Sequence, residues 1–131
     1  MLTERWVFRA IPEAAAEARR ATRQVAERAG ADASAIVLCV SEAVANAVMH
    51  AYRHRGEPGA VEVEARRPVG SLCLAVRDRG TGMAERDDSP GAGFGLGLIS
   101  SLAEGVAVRR VEPSGTEVVM RFPIDEGDRA A

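Results

Sequence analysis

Apolar residues recur at helical spacing between positions 12 and 30 of the chain. They lie three or four residues apart, as one face of a helix requires, at Ala14, Ala18, Ala21, Val25 and Ala29. Pro12 suits the first position of this helix, and Gly30 suits its end. Before the helix, residues 4–9 alternate weakly between polar and apolar side chains. The pattern predicts an edge strand followed by an amphipathic helix.

A second helix is predicted over residues 35–54. Asp32 or Ser34 can cap its first turn through a side-chain oxygen. The apolar side chains of this helix gather on one face and are Ile36, Val37, Val40, Val44, Val48 and Ala51. This helix is the most apolar segment of the chain.

Alternating segments in the second half of the chain predict two β-hairpins. The first pairs AVEVEARR with SLCLAVRD, and the second pairs GVAVRRV with TEVVMRF. A short helix over residues 96–104 precedes the second hairpin. The order β-α-α-β-β-loop-α-β-β predicts an α+β fold, a two-layer sandwich with the helices on one face of a mostly antiparallel sheet. With 131 residues and no linker, the chain is expected to form one domain.

Composition narrows the chemistry that the chain can perform. All 17 basic residues are arginine, so a Walker A loop, a Schiff-base enzyme and a lysine-activated nucleophile are excluded. A net charge of −2 gives no reason to expect direct binding of nucleic acid. With no signal-peptide core and no run of 18 apolar residues, we expect a cytoplasmic protein that does not enter a membrane. Cys39 and Cys73 lack Cys-x-x-Cys spacing and are predicted to be reduced core thiols.

The polar face of the second helix is the first candidate site. Glu42, Asn46 and His50 follow each other at intervals of four, which places them within an arc of about 80°. A solvated face is the ordinary explanation of such a pattern. The alternative is a ligand-binding face, on which an amide oxygen helps to hold Mg²⁺ beside a carboxylate. His50 and His54 are also four apart, but no third ligand accompanies them, so a zinc site is not expected.

The glycine-rich segment 79–97 is the second candidate, because it holds six glycines in 19 residues. Long loops in small domains are usually functional or mobile. Asp78 lies just before it and offers an acceptor for an exocyclic amine. Gly80 and Gly82 would let the backbone approach a flat ring, although a tight turn produces the same letters.

The end of this segment alternates glycine with apolar residues, in the order Gly93, Phe94, Gly95, Leu96, Gly97 and Leu98. Backbone N–H groups at the start of the following helix form a favourable site for phosphate. The spacing is not that of a dinucleotide-binding fingerprint. A smaller signal is Gly115-Thr116 at the start of the last strand, where the threonine hydroxyl can bond a base edge directly or through water.

Taken in order, these four patterns resemble the ATP-binding domain shared by gyrase, histidine kinases and related chaperones. The length and the segment SEAVANAVMHAY are similar to those of anti-sigma factor serine/threonine kinases of the RsbW and SpoIIAB type. The resemblance covers about residues 5–123 and implies the Bergerat fold. It also implies an ATP- and Mg²⁺-dependent protein kinase that phosphorylates an anti-sigma-factor antagonist and sequesters a sigma factor.

The resemblance also implies roles for single residues. Glu42 corresponds to the general base on the acceptor hydroxyl and Asn46 to the ligand of Mg²⁺. Asp78 corresponds to the carboxylate that recognises adenine, with Gly82 beneath the ring and Thr116 at the base edge. The implied lid spans residues 83–97. The residues implied to bind the nucleotide are Asn46, Asp78, Gly80, Gly82, Gly93, Phe94, Gly95, Leu96, Gly97, Leu98 and Thr116.

The implied partners are a STAS-type antagonist protein, a sigma factor and a second copy of the chain in a homodimer. Two other functions are compatible with the same nucleotide site. The first is a non-catalytic module that binds ATP or ADP as a switch and titrates a protein partner. The second is a catalytic fragment of a two-component sensor. No dimerising phosphoacceptor helix is expected before residue 12, which argues against a complete sensor histidine kinase.

Overall fold

The computed structural model of the protein describes residues 3–53, 56–81 and 96–124. Within these ranges, three helices lie on one face of a five-stranded sheet with the order β1-β2-β3-β5-β4. The strands are β1 (Thr3–Arg9), β2 (Ala60–Arg66), β3 (Ser71–Asp78), β4 (Gly105–Arg110) and β5 (Thr116–Pro123). The helices are α1 (Glu13–Ala29), α2 (Ala33–Asn46) with a π-helical extension (Ala47–Ala51), and α3 (Leu96–Leu102). The predicted two-layer α+β fold is confirmed.

Every neighbouring pair of strands is antiparallel. One row of the sheet aligns Val63, Val76 and Val118 across β2, β3 and β5, and all three are buried beneath the helices. The next row along the strands aligns Glu62, Arg77 and Glu117 on the opposite face. The alternation that predicted the strands therefore also sorts the core from the open face of the sheet.

The helix boundaries follow the predicted signals closely. Gly30 ends α1 in the left-handed conformation with a φ of 77°, and Asp32 rather than Ser34 caps α2. The Asp32 carboxylate accepts a hydrogen bond of 3.1 Å from the N–H of Ala35. Pro12 occupies the N-cap of α1 instead of the first helical position. Such shifts of one residue are within the ordinary range for helix ends.

The second helix differs from its prediction at its C-terminal end. A regular helix was expected to residue 54, but the chain forms a π-helical turn from Ala47 to Ala51 and leaves the helix at Tyr52. Tyr52 has a φ of −119° and a ψ of 14°, and its hydroxyl bonds the first residue of β2. The helix thus ends where Tyr52 makes a tertiary contact with β2, and no local sequence pattern signals that contact. The predicted last residue, His54, lies outside the described residues.

The apolarity of the second helix reflects its place in the core. The segment Ala33–Ala51 is long and apolar enough to cross a membrane, yet half of it is buried inside the domain. Ile36, Val40 and Val44 are completely buried against the sheet and the neighbouring helices. It packs as a core helix.

The two cysteines are both free, but they lie in different environments. Cys39 on α2 is completely buried, as predicted, and burial raises the pKa of its thiol to about 11. Cys73 was also predicted to be a core residue, and this was wrong. It lies on the open face of the sheet and is only partly buried, because alternation along β3 sends Leu72 and Leu74 to the helices and Cys73 to the opposite side.

Candidate functional site

Asp78 is a buried carboxylate at the end of β3. It pairs with Val61 on β2 and with Thr116 on β5, and only 8% of its surface is exposed. Burial raises the pKa of this carboxyl above the ordinary value, and backbone hydrogen bonds from Gly80 and Thr116 oppose that shift. The Gly80 N–H donates to Oδ1 at 3.0 Å. Asp78 is thus a desolvated acceptor with a fixed orientation.

The Asp78 carboxylate fits the recognition of an amino group. An ionised carboxylate offers about four lone-pair positions, and backbone N–H groups of Gly80 and Thr116 occupy part of that capacity. A buried carboxylate gains from each additional donor, because the charged form otherwise carries its desolvation penalty. An exocyclic amine of a nucleobase is such a donor, so the side chain suits the role implied for it.

Gly80 joins the end of β3 to the end of the second helix. A Cβ at this position would lie 1.9 Å from the carbonyl oxygen of Ala51. The next residue, Thr81, donates its backbone N–H to the same oxygen at 2.9 Å. Gly80 is therefore required for a close backbone approach, a function beyond a simple turn. The approach attaches the Asp78 segment to the helix that carries Glu42 and Asn46.

Gly115 and Thr116 hold the other side of the Asp78 segment. Gly115 has a φ of +130°, and a Cβ there would lie 2.1 Å from the carbonyl oxygen of Asp78. Thr116 is buried and aligned with Asp78 in the sheet. Ser114 adds a hydrogen bond of 3.2 Å from its hydroxyl to the carbonyl of Arg79. The turn between β4 and β5 thus packs directly on the Asp78 backbone.

The polar residues of the second helix are less exposed than a solvated face would be. Asn46 is 7% exposed, and Glu42 and His50 are partly buried. Regular α-helical spacing holds from Glu42 to Asn46, which is the last residue of α2. The π-helical turn then alters the spacing, so His50 does not continue the predicted arc in a regular way. Single π-turns of this kind are frequent at functional sites.

The predicted phosphate-side residues that the structure describes lie in the first turn of α3. Leu96 packs against the core, whereas Gly97 and Leu98 are exposed. A Cβ at Gly97 would meet no atom within 4 Å. Ile99 is completely buried and anchors α3, which packs against α2. The remaining predicted residues, Gly82, Gly93, Phe94 and Gly95, lie outside the described residues.

Tyr52 and Gly59 also support the Asp78 segment, although neither was predicted from the sequence. Tyr52 is 5% exposed, and its hydroxyl donates to the carbonyl of Ala60 at 2.7 Å and accepts from the N–H of Arg79 at 2.8 Å. A Cβ at Gly59 would lie 2.3 Å from the ring. The one available signal was that the chain has a single tyrosine, in the last turn of the predicted second helix. Its partners are far away in sequence, so the pattern could not identify them.

The residues present fit a magnesium ion that is bound mainly through a nucleotide. No group of three or more His, Cys, Asp or Glu side chains that could hold a metal occurs in the described part of the chain. Mg²⁺ usually binds through one or two protein oxygens together with substrate phosphates and water. The amide oxygen of Asn46 is suited to supply such a ligand, with Glu42 one helical turn away.

Comparison with known proteins assigns the family. Residues 8–122 match the family model described as histidine kinase-like ATPase domain. The chain belongs to this family, and membership implies that the domain binds ATP.

Two solved structures show the same fold. The RsbU and RsbW domains of Rv1364c from Mycobacterium tuberculosis superpose with a TM-score of 0.72 at 24% identity, over 94% of this chain and 32% of that one. The histidine kinase domain of the blue-light activated kinase EL346 from Erythrobacter litoralis gives a TM-score of 0.62 at 22% identity, over 93% of this chain and 64% of that one.

Curated relatives fall into two groups. The sensor histidine kinase PdtaS of Mycolicibacterium smegmatis is 31% identical over 105 residues, which cover 76% of this chain and 21% of that protein. The anti-sigma F factor of Clostridium beijerinckii is 29% identical over 93 residues, which cover 63% of this chain and 64% of that protein. The chain thus spans about a fifth of the sensor kinase and just under two thirds of the anti-sigma factor.

Proposed function

We propose that the protein is an ATP-dependent serine/threonine kinase that acts as an anti-sigma factor. It transfers the γ-phosphate of ATP to a hydroxyl of a STAS-type antagonist protein and, in its other state, sequesters a sigma factor. The observation that carries the proposal is the junction of Gly80 with Ala51. This junction attaches the base-recognising carboxylate Asp78 to the helix that bears Glu42 and Asn46.

The roles of the residues follow from what phosphoryl transfer requires. The reaction needs positioning and charge neutralisation more than covalent help from the protein. Asp78 would hold the adenine and Asn46 would help to hold Mg²⁺, which neutralises phosphate charge when it is bound. Glu42 would accept the proton of the attacking hydroxyl as general base. Because the chain has no lysine, backbone N–H groups, Mg²⁺ and arginine must meet the remaining phosphate charge.

The proposal extends to location and assembly. We place the protein in the cytoplasm, where sigma factors act, and expect it to form a homodimer without contacting nucleic acid or membrane directly. The anti-sigma F factors among its relatives support this partner class.

A second candidate function is favoured by the similarity to sensor histidine kinases. In this case the domain would transfer phosphate to a histidine on a helical partner. The same nucleotide site would serve both reactions, and they differ in the acceptor. Phosphohistidine is labile in acid and phosphoserine is stable, so the chemistry of the product separates the two.

The experiment is a transfer assay with γ-labelled ATP, Mg²⁺ and candidate antagonist proteins. Wild-type protein is expected to label an antagonist with acid-stable phosphate. Glu42→Gln should keep its ATP affinity in calorimetry and lose transfer by about 100-fold or more, because the base is removed. Asp78→Asn is the matched variant at the proposed adenine contact. It should weaken the binding of ATP itself.

Each outcome of the assay has a distinct meaning. Transfer by Glu42→Gln at the wild-type rate removes Glu42 from the role of base. ATP binding without labelling of any antagonist overturns the kinase assignment in favour of the non-catalytic switch. Acid-labile labelling of a histidine-bearing partner supports the second candidate. Failure of the wild-type protein to bind ATP overturns all three.

A further inference from the structure

Tyr52 joins three elements of the fold at one point. It follows the second helix, its hydroxyl donates to the carbonyl of Ala60 at the start of β2, and it accepts the N–H of Arg79 just after β3. The ring lies over Gly59, where an added Cβ would lie 2.3 Å from the Cε1 atom of the ring. Only 5% of Tyr52 is exposed. The side chain is therefore held tightly by its surroundings and has little freedom to move.

The peptide group that Tyr52 binds is the one that follows Asp78. On its N–H edge, the Arg79 nitrogen lies 2.8 Å from the Tyr52 hydroxyl. On its carbonyl edge, the Asp78 oxygen lies in the space that a Cβ of Gly115 would fill. A peptide group is planar, so contacts on both edges set its orientation and thereby fix the backbone dihedral ψ of Asp78.

The next peptide links this orientation to the carboxylate. The N–H of Gly80 donates to Oδ1 of Asp78 at 3.0 Å. A rotation of the Asp78–Arg79 peptide would move this N–H and change the direction of the carboxylate with it. The Tyr52 hydroxyl does not touch the carboxylate, and acts on it only through the backbone.

We infer that Tyr52 is a positioning residue for base selectivity, whose hydroxyl holds the peptide after Asp78 so that the carboxylate is aimed at the exocyclic amino group of adenine. The inference rests on the proposed function, since it requires a nucleotide base beside Asp78. Hydrogen bonds weaken steeply when their geometry is poor. Loss of the hydroxyl therefore reduces the contribution of the amino group more than it reduces the affinity for the rest of the nucleotide.

The test compares the affinities of ATP and of purine riboside triphosphate, which lacks the amino group. The dissociation constant of purine riboside triphosphate divided by that of ATP measures what the amino group contributes to binding. In Tyr52→Phe this ratio is expected to fall by about threefold to tenfold, the usual range for one misaligned hydrogen bond. The affinity for purine riboside triphosphate should change by less than about twofold. Calorimetry on the full chain measures both.

Thr22→Val is the matched control, because it also removes one buried hydroxyl. Thr22 lies within α1 and donates to the carbonyl of Ala18 at 2.7 Å. Both variants should lose stability in urea denaturation, but only Tyr52→Phe should lose selectivity. Gly59→Ala is a second variant, which keeps the hydroxyl but displaces the ring. It should also lower the ratio of the two dissociation constants, as Tyr52→Phe does.

The results separate this inference from the proposed function. A ratio in Tyr52→Phe that equals the wild-type ratio overturns the inference alone. An equal fall in Thr22→Val also overturns it, because the effect would then follow from general loss of stability. Wild-type protein that binds neither nucleotide overturns the proposed function, and the inference with it.

Discussion

The two described sides of the candidate site use glycine for different physical reasons. Around Asp78, Gly80 and Gly115 allow backbone atoms to approach each other more closely than any side chain permits. In the first turn of α3, Gly97 faces open space. The Asp78 side is thus a close-packed junction of three backbone segments, whereas the α3 side is built on an exposed helical turn anchored by Ile99.

Under the proposed function, the difference corresponds to a division of labour between base recognition and phosphate binding. Recognition of a planar base requires groups held within fractions of an ångström, and dense backbone packing provides this. A helix start that meets phosphates requires accessible N–H groups, and a residue without a side chain leaves them exposed. Gly80 and Gly97 therefore serve different structural purposes, and substitution of each by alanine should have different effects on stability.

The largest effect is expected for Gly80→Ala. The added Cβ would lie 1.9 Å from the Ala51 carbonyl, a backbone atom that cannot move away without distorting the second helix. We expect the free energy of unfolding to fall by about 2–4 kcal/mol and ATP binding to weaken, as measured by urea denaturation and calorimetry. A variant as stable as the wild type would show that this junction is not tightly packed.

A smaller effect on the free energy of unfolding is expected from the titration of Asp78 and Glu117, two carboxylates on opposite faces of the sheet. Burial alone would raise the pKa of Glu117, but hydrogen bonds and charges from Arg77 and Arg109 outweigh it, and the pKa is lowered. Arg77 Nε and Arg109 Nε each donate to Glu117 at 3.0 Å. A lowered pKa means that ionised Glu117 stabilises the fold above the ordinary pKa of glutamate, and this contribution is lost as the pH falls through the lower folded value.

Glu117→Gln should therefore lower the free energy of unfolding by about 1–2 kcal/mol near neutral pH and by less in acid.

The pH dependence expected from Asp78 has the opposite sign. Its pKa is raised, so its ionisation destabilises the fold as the pH rises through the raised value. Asp78→Asn should be more stable relative to the wild type near neutral pH than in acid. Urea denaturation as a function of pH checks both, and slopes of the same sign would contradict the assignment.

The smallest effect is expected for Gly97→Ala, which is the control for Gly80→Ala on the other side of the site. Because the Cβ enters open space within a helix, the free energy of unfolding should rise by about 0.5 kcal/mol through helix propensity. The same denaturation assay measures it. Destabilisation by more than about 1 kcal/mol would mean that α3 is more closely packed than the comparison of the two glycines implies.

Some features of the fold were accessible from local patterns. The left-handed end of α1 at Gly30 and the cap at Asp32 depend on the residue itself and its neighbours, so they could be predicted. The placement of Cys73 on the open face was accessible too, because it alternates with Leu72 and Leu74 and shares its strand face with Arg77. Its prediction as a core residue overlooked this alternation. The end of the second helix at Tyr52 could not be predicted, because the partners of the Tyr52 hydroxyl, Ala60 and Arg79, are distant in sequence.

The sequence by itself determined the periodicity of each element, the order of the elements and the types of residue available for nucleotide chemistry. These properties follow from local spacing and side-chain type, which every segment carries alone. Only the tertiary structure decided that Gly80 packs on Ala51, that Gly115 packs on Asp78 and that Tyr52 holds the peptide between them. Such contacts arise when the sheet and helices bury their apolar faces together and bring distant backbone segments into contact, a global outcome that no single segment encodes.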